Sequence, residues 1–200
     1  DAGVVLHAGS IIEQSPDGAD QGVEGRGRWN TSIVLGPDGE RLATYRKIHR
    51  FGFGQGEPLL MEAGEALSLV DVPDSSPSAG AARAGLSTCY DLRFPELYRA
   101  QLDAGATLFV IPAAWPAARV GHWTLLARAR AIENQCVVVA CNTAGTHAGH
   151  TMGGLSAVIG PAGEVLAEAG ADERVLSVGI DVAGLGAVRA GFPVLADRRL

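Results

Sequence analysis

Ser87-Thr-Cys-Tyr-Asp-Leu-Arg-Phe-Pro-Glu-Leu97 is the stretch that decides the fold, because a predicted strand runs into a predicted helix within it. The apolar run Ala84–Thr88 predicts a short buried strand, and Pro95 is typical of the first turn of a helix. Cys89 therefore lies at a strand-to-helix corner. Such a corner holds a nucleophile exposed and rigid, and the backbone N–H groups that follow it can stabilise a developing oxyanion.

Predicted strands and helices alternate along the rest of the chain, which indicates a mixed α/β domain of layered sheets and helices. Gly36-Pro-Asp-Gly39 and Gly160-Pro-Ala-Gly163 are typical of tight turns and predict two hairpins. No linker justifies a domain boundary, so residues 1–200 are predicted to form one domain. The other predicted elements are strands at Gly3–Ser10, Thr31–Leu35, Leu42–Arg46, Ala66–Val72, Ala106–Ile111, Cys136–Cys141, Leu155–Ile159, Val165–Ala167 and Val175–Ile180, and helices at Pro95–Ala104 and Gly121–Asn134.

The composition is that of a globular protein. Hydrophobic residues make up 47% of the 200 positions and charged residues 19%, which excludes a disordered or low-complexity chain. The formal net charge is −6 and no basic run occurs, so neither nucleic acid nor a membrane surface is expected as a partner. The longest apolar stretch, Leu108–Ala118, is interrupted by Pro112 and Pro116 and is too short to span a bilayer.

The three cysteines, Cys89, Cys136 and Cys141, form no CxxC motif and no Cys/His cluster with zinc-binding spacing. Cys136 and Cys141 lie in the apolar segment CVVVAC, so both are predicted to be buried structural thiols. The surroundings of Cys89 are polar and rich in turns, which favours a nucleophile over a structural thiol. Reduced cysteines predict a cytoplasmic protein.

Lys47 is the only lysine among 16 cationic side chains. In a chain that otherwise uses arginine, a retained lysine indicates that a compact ammonium group is needed at that position. Glu57 follows in the Gly-rich segment Gly54-Gln-Gly-Glu57 and could act as a general base or orient the ammonium. The alternatives are a solvated strand end for Lys47 and a solvated loop carboxylate for Glu57.

The histidines are weaker candidates for a catalytic or metal-binding role than Cys89, Lys47 and Glu57. His49 is predicted to be a hydrogen-bonding partner of the site rather than its base, although a Cys–His thiol hydrolase that uses His49 or His122 is an alternative. His147 and His150 are three residues apart in a Gly-rich segment. Two such ligands without cysteine or carboxylate support do not predict a metal site, so no metal is expected.

Several segments together resemble one known family. Tyr45-Arg-Lys-Ile-His49 and Cys89-Tyr-Asp-Leu-Arg-Phe-Pro-Glu96 are similar to the lysine and cysteine motifs of the nitrilase superfamily of carbon–nitrogen hydrolases. Pro112–Trp115, Arg128–Asn134 and Gly160–Gly163 match in the same order, so the resemblance covers essentially the whole chain. The pattern resembles the amidase branch, near the omega-amidases and Nit-type proteins, rather than the true nitrilases.

The resemblance implies a four-layer αββα sandwich that assembles into homodimers or higher homo-oligomers, and it implies no cofactor. It also implies hydrolysis of a non-peptide C–N bond in a small linear amide through a cysteine thioester, with release of ammonia and a carboxylic acid. Within the superfamily, an N-carbamoyl amino acid hydrolase is an alternative. A non-catalytic homologue that acts as a binding or assembly module is another.

The catalytic residues of the family carry over to named positions. Cys89 matches the nucleophile, and Lys47 matches the lysine that stabilises the tetrahedral intermediate. Glu57 corresponds to a supporting carboxylate, and the backbone N–H of Tyr90 would complete the oxyanion hole. The resemblance therefore predicts one site formed by these four residues.

Two further positions and one gap follow from the same resemblance. Trp115 and His122 are predicted to contact the substrate. The first glutamate of the family, its general base, lies on a βα unit upstream of the strand predicted at Gly3–Ser10, and this sequence has no counterpart of that unit. Glu13 resembles a glutamate outside the catalytic set. We therefore expect a carbon–nitrogen hydrolase domain that lacks its N-terminal βα unit, as a fragment of a longer active enzyme.

Overall fold

Two main β-sheets and a layer of helices make up the computed structural model, which describes residues 3–15, 27–72 and 82–199. The strands are β1 (Leu6–Gln14), β2 (Arg28–Leu35), β3 (Arg41–Arg46), β4 (Leu69–Val72), β5 (Ala82–Leu86), β6 (Leu108–Ala113), β7 (Val137–Asn142), β8 (Thr146–His147), β9 (His150–Thr151), β10 (Ala157–Ile159) and β11 (Val165–Glu168). The α-helices are α1 (Glu57–Leu60), α2 (Pro95–Asp103), α3 (Val120–Asn134) and α4 (Leu185–Gly191), and short 3-10 helices cover Cys89–Arg93, Ala117–Arg119 and Val194–Asp197. None of the helices in the described ranges has the length and apolar character needed to cross a bilayer.

The strand order creates a single edge at which loops converge. The smaller sheet is antiparallel in the order β1-β2-β3, and the larger sheet has the order β11-β10-β7-β6-β5-β4. Strands β5, β6 and β7 run parallel, and α2 and α3 connect them. The carboxyl ends of parallel strands meet at one edge of a sheet, where ligands commonly bind in α/β folds. The chain leaves these strands at Ser87, Ala114 and Thr143, so these positions face one common region.

An apolar core fills the space between the two sheets. Val34 and Tyr45 of the smaller sheet belong to the same buried cluster as Leu86, Leu108 and Val137 of the larger sheet. Alternate residues of a strand point to opposite faces, so each sheet contributes every second side chain to this core. The two sheets are therefore held face to face by hydrophobic burial.

Helices cover the other face of the larger sheet. Trp123, Ala127 and Ala131 recur at helical spacing along α3 and share a buried cluster with Phe109 and Val138. The smaller sheet, the larger sheet and the helices form three successive layers, and the predicted α/β class is confirmed. In the described ranges no helix covers the outer face of the smaller sheet, so the fourth layer of an αββα sandwich is not among them.

Arg130 connects α3 to the segment that contains Cys89. Its guanidinium, 4% exposed, donates to the carbonyl oxygen of Leu92 through Nε at 3.1 Å and Nη2 at 2.8 Å. Its Nη1 forms an ion pair with Glu133 at 2.8 Å. A buried guanidinium with all its main donors engaged fixes the orientation of its partners. The 3-10 helix that begins at Cys89 is therefore attached to the helical layer.

Most predicted elements occur, with ends that differ by a few residues, but the strand predicted at Val175–Ile180 does not. In the described ranges this segment pairs with no strand, yet its residues Val178 and Ile180 contact the core between the sheets, as does Val182 just after it. The prediction was wrong because a period-two pattern reports which side chains are buried. It does not report the backbone hydrogen bonds that define a sheet.

Gly64 allows the chain to pass close to β3, and this contact yields a stability prediction. Its N–H donates to the carbonyl oxygen of Lys47 at 2.8 Å, and a Cβ at residue 64 would overlap the carbonyl oxygen of Arg46. We expect Gly64→Ala to lower the free energy of unfolding by roughly 1–3 kcal/mol, because the backbone must move to admit the methyl group. Gly170→Ala is the matched control, since no atom of the residues that the structure describes lies within 4 Å of the added carbon. Urea unfolding of both variants measures the difference, and equal effects would contradict the close approach.

Candidate active site

A cavity of about 970 Å³ opens at the carboxyl ends of the parallel strands, and Lys47, Glu57 and Cys89 all line it. Lys47 follows the last residue of β3, Glu57 begins α1, and Cys89 follows β5. The tertiary structure therefore brings together three of the site residues predicted from sequence, although 42 positions separate Lys47 from Cys89. The cavity has a volume typical of small-molecule sites.

The backbone at Cys89 has an unusual conformation. Its φ angle is +50°, in the left-handed region that non-glycine residues rarely occupy. It is the first residue of the 3-10 helix Cys89–Arg93, and α2 begins two residues after that helix ends. The predicted strand-to-helix corner is thus present. A strained residue of this kind costs about 1–3 kcal/mol and persists only where surrounding contacts determine its conformation.

The environment of the Cys89 thiol contains opposing effects. Burial is the largest and raises the pKa of Cys89 above its ordinary value. The positive charge of Lys47 and a hydrogen bond from the backbone of Ala114 lower this pKa, whereas the charges of Glu57 and Asp91 raise it. Because the effect of burial outweighs that of the nearby cation, the pKa of Cys89 stays above its ordinary value. Nucleophilic attack by this sulfur therefore requires a group that removes the proton.

Glu57 holds the ammonium group of Lys47. The Lys47 Nζ donates to Oε2 at 2.7 Å and to Oε1 at 3.0 Å, and Lys47 is 3% exposed. Oε1 also accepts from Asn30 Nδ2 at 2.8 Å, and Oε2 accepts from the backbone N–H of Phe51 at 2.5 Å. A buried ammonium requires a paired, hydrogen-bonded partner, and Glu57 provides it. The carboxylate is thus fully engaged in orienting Lys47.

Sequence reasoning missed Asn30, which lies in β2 and lines the cavity. Its side chain donates to Glu57, and its backbone carbonyl accepts from the N–H of Lys47 at 2.8 Å. Asparagine is uncommon in the interior of a strand, so its presence in the otherwise strand-like run Arg28–Leu35 was a signal that could have been used.

A much smaller pocket, of about 40 Å³, lies beside Cys89. Tyr90, Arg93 and Trp115 line it, together with Arg119. The guanidinium of Arg93 lies over the Trp115 ring with 4.7 Å between Cζ and the ring centroid. Cys89 is thus accessible from two spaces, one of them rich in aromatic and cationic groups.

The N–H of Tyr90 belongs to the first turn of the 3-10 helix, where N–H groups have no partner within the helix.

The two histidines considered as bases have other contacts. The Nδ1 atom of His49 lies 2.8 Å from Oδ1 of Asp91, and its ring stacks on Phe94 at 3.8 Å. His49 is therefore a hydrogen-bonding partner of the site, as predicted. His122 is exposed and does not line either pocket, but its Nδ1 lies 3.3 Å from Nη2 of Arg93.

The prediction that Cys141 is buried was wrong. Cys141 is exposed and lines the large cavity, whereas Cys136 is buried. Val137 and Val139 contact the core between the sheets, and period-two alternation puts Cys141 on the same face of β7. Since β7 extends beyond that core at its carboxyl end, the side chain meets the cavity instead of packed hydrocarbon. In the described ranges no group of three or more His, Cys, Asp or Glu side chains is arranged to hold a metal ion.

Comparison with known proteins gives a consistent result. Residues 1–190 match the family described as carbon-nitrogen hydrolase. A 2-oxoglutaramate amidase of Paenarthrobacter nicotinovorans is 46% identical over 194 residues, which cover 97% of this chain and 63% of that protein. The chain thus spans less than two thirds of the length of this relative.

Solved structures agree with the family match. A CN-hydrolase superfamily protein of Xanthomonas campestris, with an arsenic adduct in its active site, has a TM-score of 0.84 and 32% identity, covering 99% of this chain and 70% of that one. A mutant amidase of Nesterenkonia has a TM-score of 0.75 and 29% identity, covering 97% and 68%. That amidase carries the acetamide moiety of fluoroacetamide covalently added to its active-site cysteine.

The effect of Lys47 on Cys89 is testable through the pH dependence of thiol alkylation. Lys47→Met removes a charge that lowers the pKa of Cys89, so this pKa should rise further. Alkylation needs the thiolate, so the rate profile with iodoacetamide should move to higher pH, and the rate below the midpoint should fall. Mass spectrometry of the peptides separates Cys89 from the exposed Cys141, which serves as the internal reference. A profile that stays in place or moves to lower pH would contradict the coupling.

Proposed function

This chain belongs to the carbon–nitrogen hydrolase family of the nitrilase superfamily, and we propose that it hydrolyses the C–N bond of a small linear amide through a thioester on Cys89. The observation that carries the proposal is the shared cavity in which a buried lysine ammonium, held by a carboxylate, lies with a cysteine at a strained corner. The covalent cysteine adduct of the related Nesterenkonia amidase also supports it.

In the acylation step, a base takes the proton of the Cys89 thiol, and the sulfur attacks the amide carbonyl carbon. The carbonyl oxygen becomes an oxyanion, which the Lys47 ammonium and the backbone N–H of Tyr90 stabilise. Removing one donor of this kind typically costs about 10²–10³ in rate. The C–N bond then breaks as the nitrogen takes up a proton and leaves as ammonia, and the acyl group stays on sulfur.

In the deacylation step, water attacks the thioester carbonyl and gives its proton to a base. The same two donors stabilise the second tetrahedral intermediate, and the C–S bond breaks to release the carboxylic acid. The sulfur regains its proton. The balance of both steps is amide plus water to carboxylic acid plus ammonia, and no cofactor is needed.

Glu57 acts in this scheme as a supporting carboxylate. Both of its oxygens already accept hydrogen bonds from Lys47, Asn30 and Phe51, so we assign it to orienting the lysine. The resemblance gives proton transfer to a glutamate that has no counterpart in this sequence.

We propose that the substrate is the ω-amide of a dicarboxylic acid, so that it carries a carboxylate at its other end. Arg93 and Arg119 line the small pocket beside Cys89, where a carboxylate would find two guanidinium groups. The relative named 2-oxoglutaramate amidase supports this substrate class. Trp115 would contact the carbon chain of such a substrate, and His122 would act through Arg93.

The proposed assembly and compartment follow the expectations from the sequence. We propose a homodimer or higher homo-oligomer in the cytoplasm. Helix α3 exposes Leu125 and Ile132 to 68% and 49%, and exposed apolar side chains on a helix support a subunit contact.

An ammonia-release assay with Cys89 variants tests the proposed reaction. The ω-amide of succinic acid should yield ammonia and succinate, and Cys89→Ala should lower the rate by at least about 10³-fold, because the nucleophile is lost. Cys141→Ala is the matched control and should retain most of the activity. Retention of more than a few per cent of the rate by Cys89→Ala would contradict the mechanism. Release of carbon dioxide from carbamoyl amino acids would favour the N-carbamoyl hydrolase, and no product from any amide would favour a binding module.

The arginine pair is testable by comparing an anionic with a neutral amide. Arg93→Met or Arg119→Met should raise KM for succinamate by about 10- to 100-fold, because a charge-assisted hydrogen bond is lost. KM for butyramide should change little. Arg174→Met, at an exposed arginine that lines neither pocket, controls for net charge. Equal KM increases for both amides would overturn the assignment of a carboxylate site.

A further inference from the structure

Asp91 is a completely buried carboxylate two residues after Cys89, with a side chain 0% exposed. Its Oδ2 accepts from the Tyr45 hydroxyl at 2.7 Å and from the backbone N–H of Thr88 at 2.8 Å. Its Oδ1 accepts from the backbone N–H of His49 at 3.0 Å and lies 2.8 Å from Nδ1 of the same residue. Both oxygens are therefore hydrogen-bonded, with partners at Tyr45 and His49 in a distant segment and at Thr88 next to Cys89.

The origin of these donors is the informative feature. Tyr45 precedes Lys47 by two residues and His49 follows it by two, so Asp91 binds the chain on both sides of the lysine. Thr88 immediately precedes Cys89. One carboxylate thus connects the segment that presents the ammonium to the segment that presents the sulfur.

We propose that Asp91 is a positioning residue, which sets the distance and orientation between the Lys47 ammonium and the Cys89 sulfur. The proposal rests on the reaction proposed above, because that reaction requires both groups at one acyl carbon. Asp91 lines neither pocket, so it acts through Tyr45, His49 and Thr88 and not by touching the substrate.

The chemistry of the pairing explains why a carboxylate occupies this position. A buried carboxylate is costly unless it is fully hydrogen-bonded, and an ionised aspartate can accept on both oxygens. An asparagine would turn an NH₂ group toward the donors on one side, and the hydrogen bonds on that side would be lost. Burial and the neighbouring Asp91 also raise the pKa of Tyr45, so the phenol keeps its proton and remains a donor.

Electrostatics alone would not favour Asp91 at this place. Its negative charge raises the pKa of Cys89 and so opposes formation of the thiolate. A residue whose charge opposes formation of the thiolate must contribute to the site through something other than its charge. Geometry is that contribution, since the same carboxylate holds the chain on both sides of Lys47, whose positive charge lowers the pKa of Cys89.

A matched pair of tyrosine variants separates positioning from general stability. Tyr45→Phe removes the hydrogen bond that the hydroxyl donates to Asp91 and the one that it accepts from the N–H of Ile48, but it keeps the aspartate charge. Tyr98→Phe is the control, because Tyr98 is also fully buried and its hydroxyl bonds Ser87 at 2.9 Å without contacting Asp91. Asp91→Asn is the third variant. The measurements are kcat and KM for succinamate, the thermal midpoint, and the pH profile of Cys89 alkylation by iodoacetamide with Cys141 as reference.

We expect Tyr45→Phe to lower kcat by about 10- to 100-fold with KM nearly unchanged, because small displacements of reacting groups have effects of this size. Its alkylation profile should move to higher pH as Lys47 moves away from the sulfur. Asp91→Asn should lower kcat further. Tyr98→Phe should lose a similar amount of thermal stability but keep both kcat and the alkylation profile.

Two results would overturn the proposal. In the first, Tyr45→Phe and Tyr98→Phe change kcat and alkylation alike, which would make the role of Asp91 only structural. In the second, Tyr45→Phe has no effect while Asp91→Asn moves the alkylation profile to lower pH. Asp91 would then act on Cys89 only through its negative charge. The alkylation profiles need no turnover. If the wild-type chain hydrolyses no amide, the proposed function fails, yet a shift confined to Tyr45→Phe still supports positioning.

Discussion

The site depends on the burial of one ammonium group. Lys47 is almost completely removed from solvent, so its charge must be paired, and Glu57 supplies a carboxylate that holds the Nζ atom through both oxygens. This pairing has a functional consequence. The flexible four-carbon side chain of lysine becomes a fixed donor, directed into the same cavity as Cys89. An arginine could not fill this role, because its planar group has a different reach and geometry.

The architecture places that donor and the sulfur on different layers. Lys47 follows a strand of the smaller sheet, whereas Cys89 follows a strand of the larger sheet. The hydrophobic core between the sheets sets their overall separation, and the cavity begins where that core ends. Hydrophobic burial has no directional preference, so it cannot by itself fix two side chains to within a fraction of an ångström. Directional hydrogen bonds across the same gap, among them those to Asp91, supply that precision.

Individual residues differ in how far the sequence predicted them. The strand before Cys89 and the helix after it were predictable, because their patterns are local. Lys47 was identified by contrast with the arginines around it. Asn30 and Asp91 were missed, since their roles arise from partners 27 and 46 positions away, at Glu57 and Tyr45. Cys141 was placed correctly on a strand but in the wrong environment, because burial at a strand end depends on what packs opposite it.

By itself, the sequence determined the layered α/β class, the order of most strands and helices, and the residue types that can carry out acyl transfer. These properties follow from short-range periodicity, turn residues and side-chain chemistry, which a linear pattern contains. Only the tertiary structure decided that Lys47, Glu57 and Cys89 line one cavity, that Asp91 joins their segments, and that Val175–Ile180 packs without pairing. The physical reason is that distances between remote segments depend on how two sheets pack, and packing is a property of the whole folded chain.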